Sequence, residues 1–117
     1  MAPPVYSVRF ADLSPLTVGD PYTVPVTAGR TFVLKAVYGY TGAVDLSTPS
    51  MIVQSQATGA EMIRFAPGAT GNRYQQWDGM IVMPGIVDEE PAFVFIAQDG
   101  EWDVYASGYD FEGTGPV

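Results

Sequence analysis

The chain alternates apolar and polar residues over short runs and never sustains a helical period. No window free of Gly or Pro places apolar residues at i, i+3, i+4 and i+7. Instead, runs rich in Val, Ile, Thr, Tyr and Phe are punctuated by thirteen Gly and ten Pro. That pattern predicts strands joined by turns, and so a sandwich or barrel. Residues 5–10 alternate, with Tyr6, Val8 and Phe10 on one face, and a turn at 12–15 follows. Residues 22–26 form a second strand, which Pro25 confines to an edge or a bulge because it has no N–H to donate. The run 30–40 is longest: Phe32, Leu34, Ala36, Tyr38 and Tyr40 share the parity expected to face the core. Val33, Lys35 and Val37 share the other, only mildly polar, parity.

A loop over 40–49 leads to a strand at 50–56, and Thr58-Gly59 hairpins it to a strand at 61–65. A polar turn at 67–72 precedes the strand built around Trp77-Asp78-Gly79, which ends at Pro84-Gly85 and is expected near the middle of a sheet. The acidic turn 87–91 leads to 92–97, which is apolar on both parities. Asp99-Gly100 reads as a two-residue hairpin turn into the alternating strand 101–109. There Trp102, Val104 and Ala106 face one way, and Asp103, Tyr105, Ser107 and Tyr109 the other. These runs amount to about eight antiparallel strands, the number of an all-β sandwich of jelly-roll type. Residues 1–111 form one domain, and 112–117 an extended tail with nothing to pack.

Composition narrows the chemistry. The chain has 117 residues, 47% of them hydrophobic, enough for one domain with a real core. Neither Cys nor His occurs. A structural zinc site of the usual kind, a Cys nucleophile and the commonest general base are therefore excluded. Five basic residues stand against thirteen acidic ones, a net charge of −8. Such a surface repels phosphates and anionic membranes, so neither a nucleic acid nor a membrane is expected as a partner. No run is long enough to span a bilayer, and the start lacks the basic and apolar regions of a signal peptide.

The second half also carries an order of features seen elsewhere. Trp77-Asp78-Gly79 runs through Ile81-Val82 to Gly85; Asp99-Gly100-Glu101-Trp102 and a terminal Ser107-Gly108-Tyr109 follow. The first half adds Val24-Pro25-Val26-Thr27-Ala28-Gly29 leading into the long strand. Over about residues 22–111 this resembles the small β-sandwich virion proteins of tailed actinobacterial phages, often described as minor tail proteins. Their pattern has Arg after Trp-x-Gly, where this chain has Met80, and a shorter spacing between the lead-in Pro and Gly. The resemblance implies a non-enzymatic structural component of a virion, a minor tail or capsid decoration protein. It would assemble in the host cytoplasm as a homo-oligomer, a trimer, with other virion proteins of the tail or capsid as partners. The alternative is a carbohydrate-binding or host-surface-binding sandwich.

Each candidate residue has a structural and a chemical reading. Trp77 and Trp102 can stack on a sugar, but an aromatic among apolar strand positions is more often a core anchor. Gly79, Gly108 and Tyr109 read as structural anchors beside them: Gly108 for close backbone approach, Tyr109 for packing. Asp88-Glu89-Glu90 lacks the ligand spacing of a preorganised Ca²⁺ loop, so no metal site is expected. Asp78 and Asp103 have nothing to place them together, Ser107-Gly108-Tyr109 is no nucleophile elbow, and no catalytic residue or cofactor is expected. The doubly apolar strand is the informative element. Phe93 and Phe95, being larger, are assigned to the interior; Val94 and Ile96, with Val33 and Val37, to an oligomer interface.

Overall fold

The computed structural model describes residues 6–42, 49–67, 74–86 and 88–113, with the backbone alone over 6–10. Within these lie eight strands: β1 (Tyr6–Leu16), β2 (Tyr22–Pro25), β3 (Arg30–Thr41), β4 (Ser50–Ser55), β5 (Glu61–Phe65), β6 (Tyr74–Pro84), β7 (Ala92–Asp99) and β8 (Trp102–Glu112). There is no helix among the described residues. The strands form two four-stranded antiparallel sheets, ordered β1-β8-β3-β6 and β2-β7-β4-β5. This is the order of a jelly roll, two interlocked Greek keys. The turn expected over 67–72, most of the loop over 40–49 and residues 114–117 lie outside the described residues.

The interior is filled from both sheets. Phe32, Leu34, Val37, Trp102, Val104 and Ala106 come from one; Met51, Val53, Ile63, Phe65, Phe93 and Phe95 from the other. Two ring contacts bridge the layers: Phe32 on Phe93, centroids 5.5 Å apart, and Trp102 on Phe65, 6.2 Å apart. Trp102 is fully buried and donates its indole N–H to the Asp99 carbonyl at 3.1 Å. That bond satisfies the one polar atom of the ring. At the end of the first sheet Arg30 donates to buried Asp110 from Nε at 3.1 Å and from a terminal nitrogen at 2.9 Å. A planar guanidinium suits this part-buried position, because it engages the carboxylate through two donors at once.

The described architecture corrects several expectations. The core parity of β3 holds only as far as Leu34. Between Leu34 and Ala36 the register shifts against both neighbours: Leu34 faces Gly108 and Ile81, whereas Ala36 faces Ser107 and Asp78. Relative to β8 the extra residue is Lys35, and a bulge of one residue exchanges the two faces beyond it. Val37, Gly39 and Thr41 therefore point inward, and Tyr38 and Tyr40 outward. The β6 strand lies at a sheet edge, not in the middle, and among the described residues it pairs with β3 alone. Its Trp77 is half-buried and packs on the margin of the core.

Asp99-Gly100 does not make a hairpin. Gly100 has the positive φ, 78°, that a tight turn needs, but β7 and β8 belong to different sheets and the turn carries the chain across the sandwich. The turn expected at 12–15 is instead an irregularity inside β1, which resumes pairing at Leu16 opposite Trp102. The domain also runs past residue 111. Glu112 pairs with Arg30, and the Gly113 carbonyl accepts from buried Thr31 Oγ1 at 2.6 Å.

Gly108 sits opposite Leu34, where β8 runs tight against the β3 backbone. A Cβ placed there would lie 2.2 Å from the Val33 carbonyl oxygen and 3.1 Å from the Leu34 Cα, both backbone atoms. At Gly79 the nearest obstacle, at 2.6 Å, is the indole of Trp77, a side chain that can turn away. Gly108→Ala is therefore expected to cost about 3 kcal/mol or more, because two strands must separate, and Gly79→Ala about 1 kcal/mol. Urea unfolding of the two variants beside the parent checks the order. Equal losses would mean that β8 shifts freely at Gly108.

Candidate interaction surfaces

Each sheet has one face toward the core and one outward, and the outward faces differ in chemistry. On the sheet β2-β7-β4-β5 the outward side of β7 is aliphatic. Phe93 and Phe95 are buried in the core, and Val94 and Ile96 are half-buried on the far side. Ile96 pairs with Ile52, itself only 6% exposed, and Ile52 pairs with Arg64 on β5. Val94 lies between Thr23 and Gln54. The result is an aliphatic strip of Ile52, Val94 and Ile96 with polar residues at both ends.

Arg64 closes one end of that strip. Its guanidinium donates to both Glu61 carboxylate oxygens, at 3.1 and 2.6 Å, and to Gln98 Oε1 at 3.3 Å. The hydrogen bond from Arg64 holds the Glu61 carboxyl below its ordinary range, and Glu61 in turn raises Arg64. Both groups are exposed, so solvent screens the pair strongly.

The outward face of β1-β8-β3-β6 is aromatic. One row across it runs Tyr74–Tyr40–Asp103, and the next Gln76–Tyr38–Tyr105–Asp12. The Tyr40 and Tyr74 rings are tilted together with centroids 4.8 Å apart. Tyr38, Gly39, Tyr40, Tyr74, Asp103 and Tyr105 enclose a shallow depression of about 130 Å³. Tyr74 and Tyr105 remain 68% and 51% exposed at its rim. Gly39, between the two β3 tyrosines, faces inward, where a Cβ would strike the Phe65 ring at 2.8 Å.

Farther along this face Val82 flanks Val33, and Tyr109, whose ring lies 6.3 Å from that of Phe111, flanks it on the other side. Val33 is fully buried by these neighbours, and Val37 is fully buried in the core beyond the bulge. Neither is offered to a second copy, which corrects their assignment to an interface. Of the four interface candidates only Val94 and Ile96 share a face and reach the surface.

A larger cleft of about 270 Å³ opens between the sheets beside β2, floored by Phe32, Leu34, Phe93 and Phe95 and rimmed by Asp12, Tyr22 and Thr23. The acidic turn has Asp88 and Glu90 at positive φ and all three carboxylates exposed. No grouping of three metal-ligating side chains occurs among the described residues. Asp78 accepts a hydrogen bond from Gln76 on the outward face of β6, while Asp103 stands across the sheet on β8. The structure thus separates the two carboxylates that were weighed as a pair. Sequence reasoning passed over Tyr38, Tyr40 and Tyr74 as surface groups; Tyr105 was placed outward by alternation alone.

No protein-family model matches the chain, and no curated protein matches it in sequence. Among solved structures, the Drosophila NLP-core is similar over 86% of this chain and 96% of its own, with a TM-score of 0.56 and 19% identity. The extra small virus particle of the giant freshwater prawn Macrobrachium rosenbergii is similar over 98% of this chain and 83% of its own, with a TM-score of 0.45 and 11% identity. The first likeness is one of fold: a β-sandwich shared at an identity too low to carry a function.

The Glu61–Arg64 pair gives a signed pH expectation. A carboxyl whose pKa is lowered by folding adds stability above its unfolded pKa, and that stability is lost as pH falls through the folded value. The stability difference between parent and Arg64→Ala is thus present at about pH 7 and closes toward about pH 3. Urea midpoints of both proteins at the two pH values measure it. A difference that persists in acid would assign the effect to packing of the Arg64 stem.

Proposed function

We propose that this protein is a non-enzymatic structural component of a tailed-phage virion, a minor tail or capsid decoration protein that works as a self-assembling unit. The observation that carries the reading is the aliphatic outer face of β7, where Val94 and Ile96 reach the surface beside buried Ile52. A sandwich needs one apolar interior, and a strand apolar on both sides has a second face to cover. A neighbouring copy of the chain can cover it, and in a closed trimer that contact is heterologous, so the strip would pack on a different surface of the neighbour. We take a trimer as the working order. The Drosophila NLP-core, similar in fold, is described in terms of pentamer formation, so that protein pairs a β-sandwich with self-assembly at a different order. The order of features from Trp77-Asp78-Gly79 to Ser107-Gly108-Tyr109, seen in phage minor tail proteins, supports the virion setting.

A second reading, a monomeric module that binds a carbohydrate or host surface, draws on the exposed tyrosines of the opposite face. The two readings separate on one variant. Val94→Asp/Ile96→Asp is expected to dissociate the assembly while leaving the subunit folded. Two unpaired charges in a subunit contact cost several kcal/mol, of order a thousandfold in association. On a free face the same change is nearly neutral. Sedimentation of parent and variant, with circular dichroism alongside, gives the answer. A parent that is monomeric at tens of micromolar would overturn the assembly reading and favour the module.

A further inference from the structure

We propose that the depression enclosed by Tyr38, Tyr40, Tyr74, Tyr105 and Asp103 binds the arginine side chain of an extended basic segment on another protein. The site lies on the outer face opposite the aliphatic strip, so the inference does not rest on the assembly proposed above. Three observations carry it. First, the rings gather around one depression of about 130 Å³ instead of spreading along the face. A space of that size takes one side-chain head group, not a run of sugar rings. Second, carboxylates outnumber cations among the described residues of this face, where Lys35 on β3 is the exposed cation. Asp103 lines the depression, and Asp12 and Asp78 stand on the same face. The chain carries −8 overall, and two of its five cations, Arg30 and Arg64, are held by Asp110 and Glu61. Third, aromatic faces present negative potential, and a planar guanidinium can stack on a ring while donating to a carboxylate. Tyrosine rings beside Asp103 meet both requirements within one site.

The rings also sit on rigid backbone. Tyr38 and Tyr40 flank Gly39 on β3, the strand paired on both sides, and Tyr105 stands opposite Tyr38 on β8. A ligand pays little to order such a site. The site takes one arginine, its guanidinium seated between the tyrosines and donating to Asp103.

The test is a nuclear magnetic resonance titration of the parent protein at low salt with three probes. They are an end-blocked Gly-Arg-Gly peptide, the same peptide with citrulline in place of arginine, and maltotriose. The arginine peptide is expected to shift the ring resonances of Tyr38, Tyr40 and Tyr105, and to weaken as salt rises. The citrulline peptide, equal in shape but uncharged, is expected to bind at least threefold more weakly. Asp103→Asn and Tyr105→Ala should each weaken the arginine peptide by about threefold or more, and Tyr105→Phe should retain it. Equal binding of the two peptides, no response to arginine, or unchanged affinity in Asp103→Asn would overturn the proposal. Binding of maltotriose in place of the arginine peptide would overturn it in favour of a glycan site. The comparison of probes on the parent needs no variant to fold, and the oligomeric state, measured separately, reports on the assembly reading alone.

Discussion

The bulge at Lys35 is the constraint on which the aromatic outward face depends. Before it, β3 sends Phe32 and Leu34 into the core; beyond it, Val37, Gly39 and Thr41 take the inward positions. Gly108 lies beside the bulge, and its missing side chain lets β8 follow β3 through the irregular step. Without the step, Tyr38 and Tyr40 would have to enter an interior that Phe65 and Trp102 already fill. With it, two large rings become surface, and Gly39 yields the space that Phe65 occupies. One inserted residue thus sets both the packing at that end of the sandwich and the chemistry of the face opposite it.

The parts of the fold legible in the sequence are those fixed by local rules. Alternation identified the strands, because a half-buried strand needs period two. Pro25 marked an edge, and β2 is an edge strand. Ring size placed Phe93 and Phe95 inward, and parity with Val104 and Ala106 placed Trp102 with them. What local rules could not supply was anything that depends on which strand pairs with which. A bulge is a mismatch between two strands, and neither β3 nor β8 alone displays it. Nor does an Asp-Gly turn say whether the strands after it pair together or part to separate sheets.

The surfaces were less legible than the core for a related reason. Val33 looked available because its side of the strand is only mildly polar, yet Val82 and Tyr109 come from strands distant in sequence to cover it. Trp77 looked central because of its size, but position at an edge outweighs size in deciding burial. A tyrosine's face followed from parity, and parity from the bulge. The depression with Asp103 assembles residues from β3, β6 and β8, which no single stretch of sequence places together.

Only β4 and β5 pair with a strand next to them in sequence; every other ladder joins strands with at least one other strand between them along the chain. As the polypeptide leaves the ribosome, β3 therefore waits for β6 and then β8 before both of its edges are satisfied. The first sheet cannot close until β8 is made, since β8 is its bridge between β1 and β3. Chains built this way pay loop-closure entropy before their contacts repay it, and they fold slowly. During that interval the unpaired, apolar β3 can pair with another nascent copy as readily as with its own partners. Local concentration during synthesis thus influences how many chains complete the sandwich before strands of different copies meet.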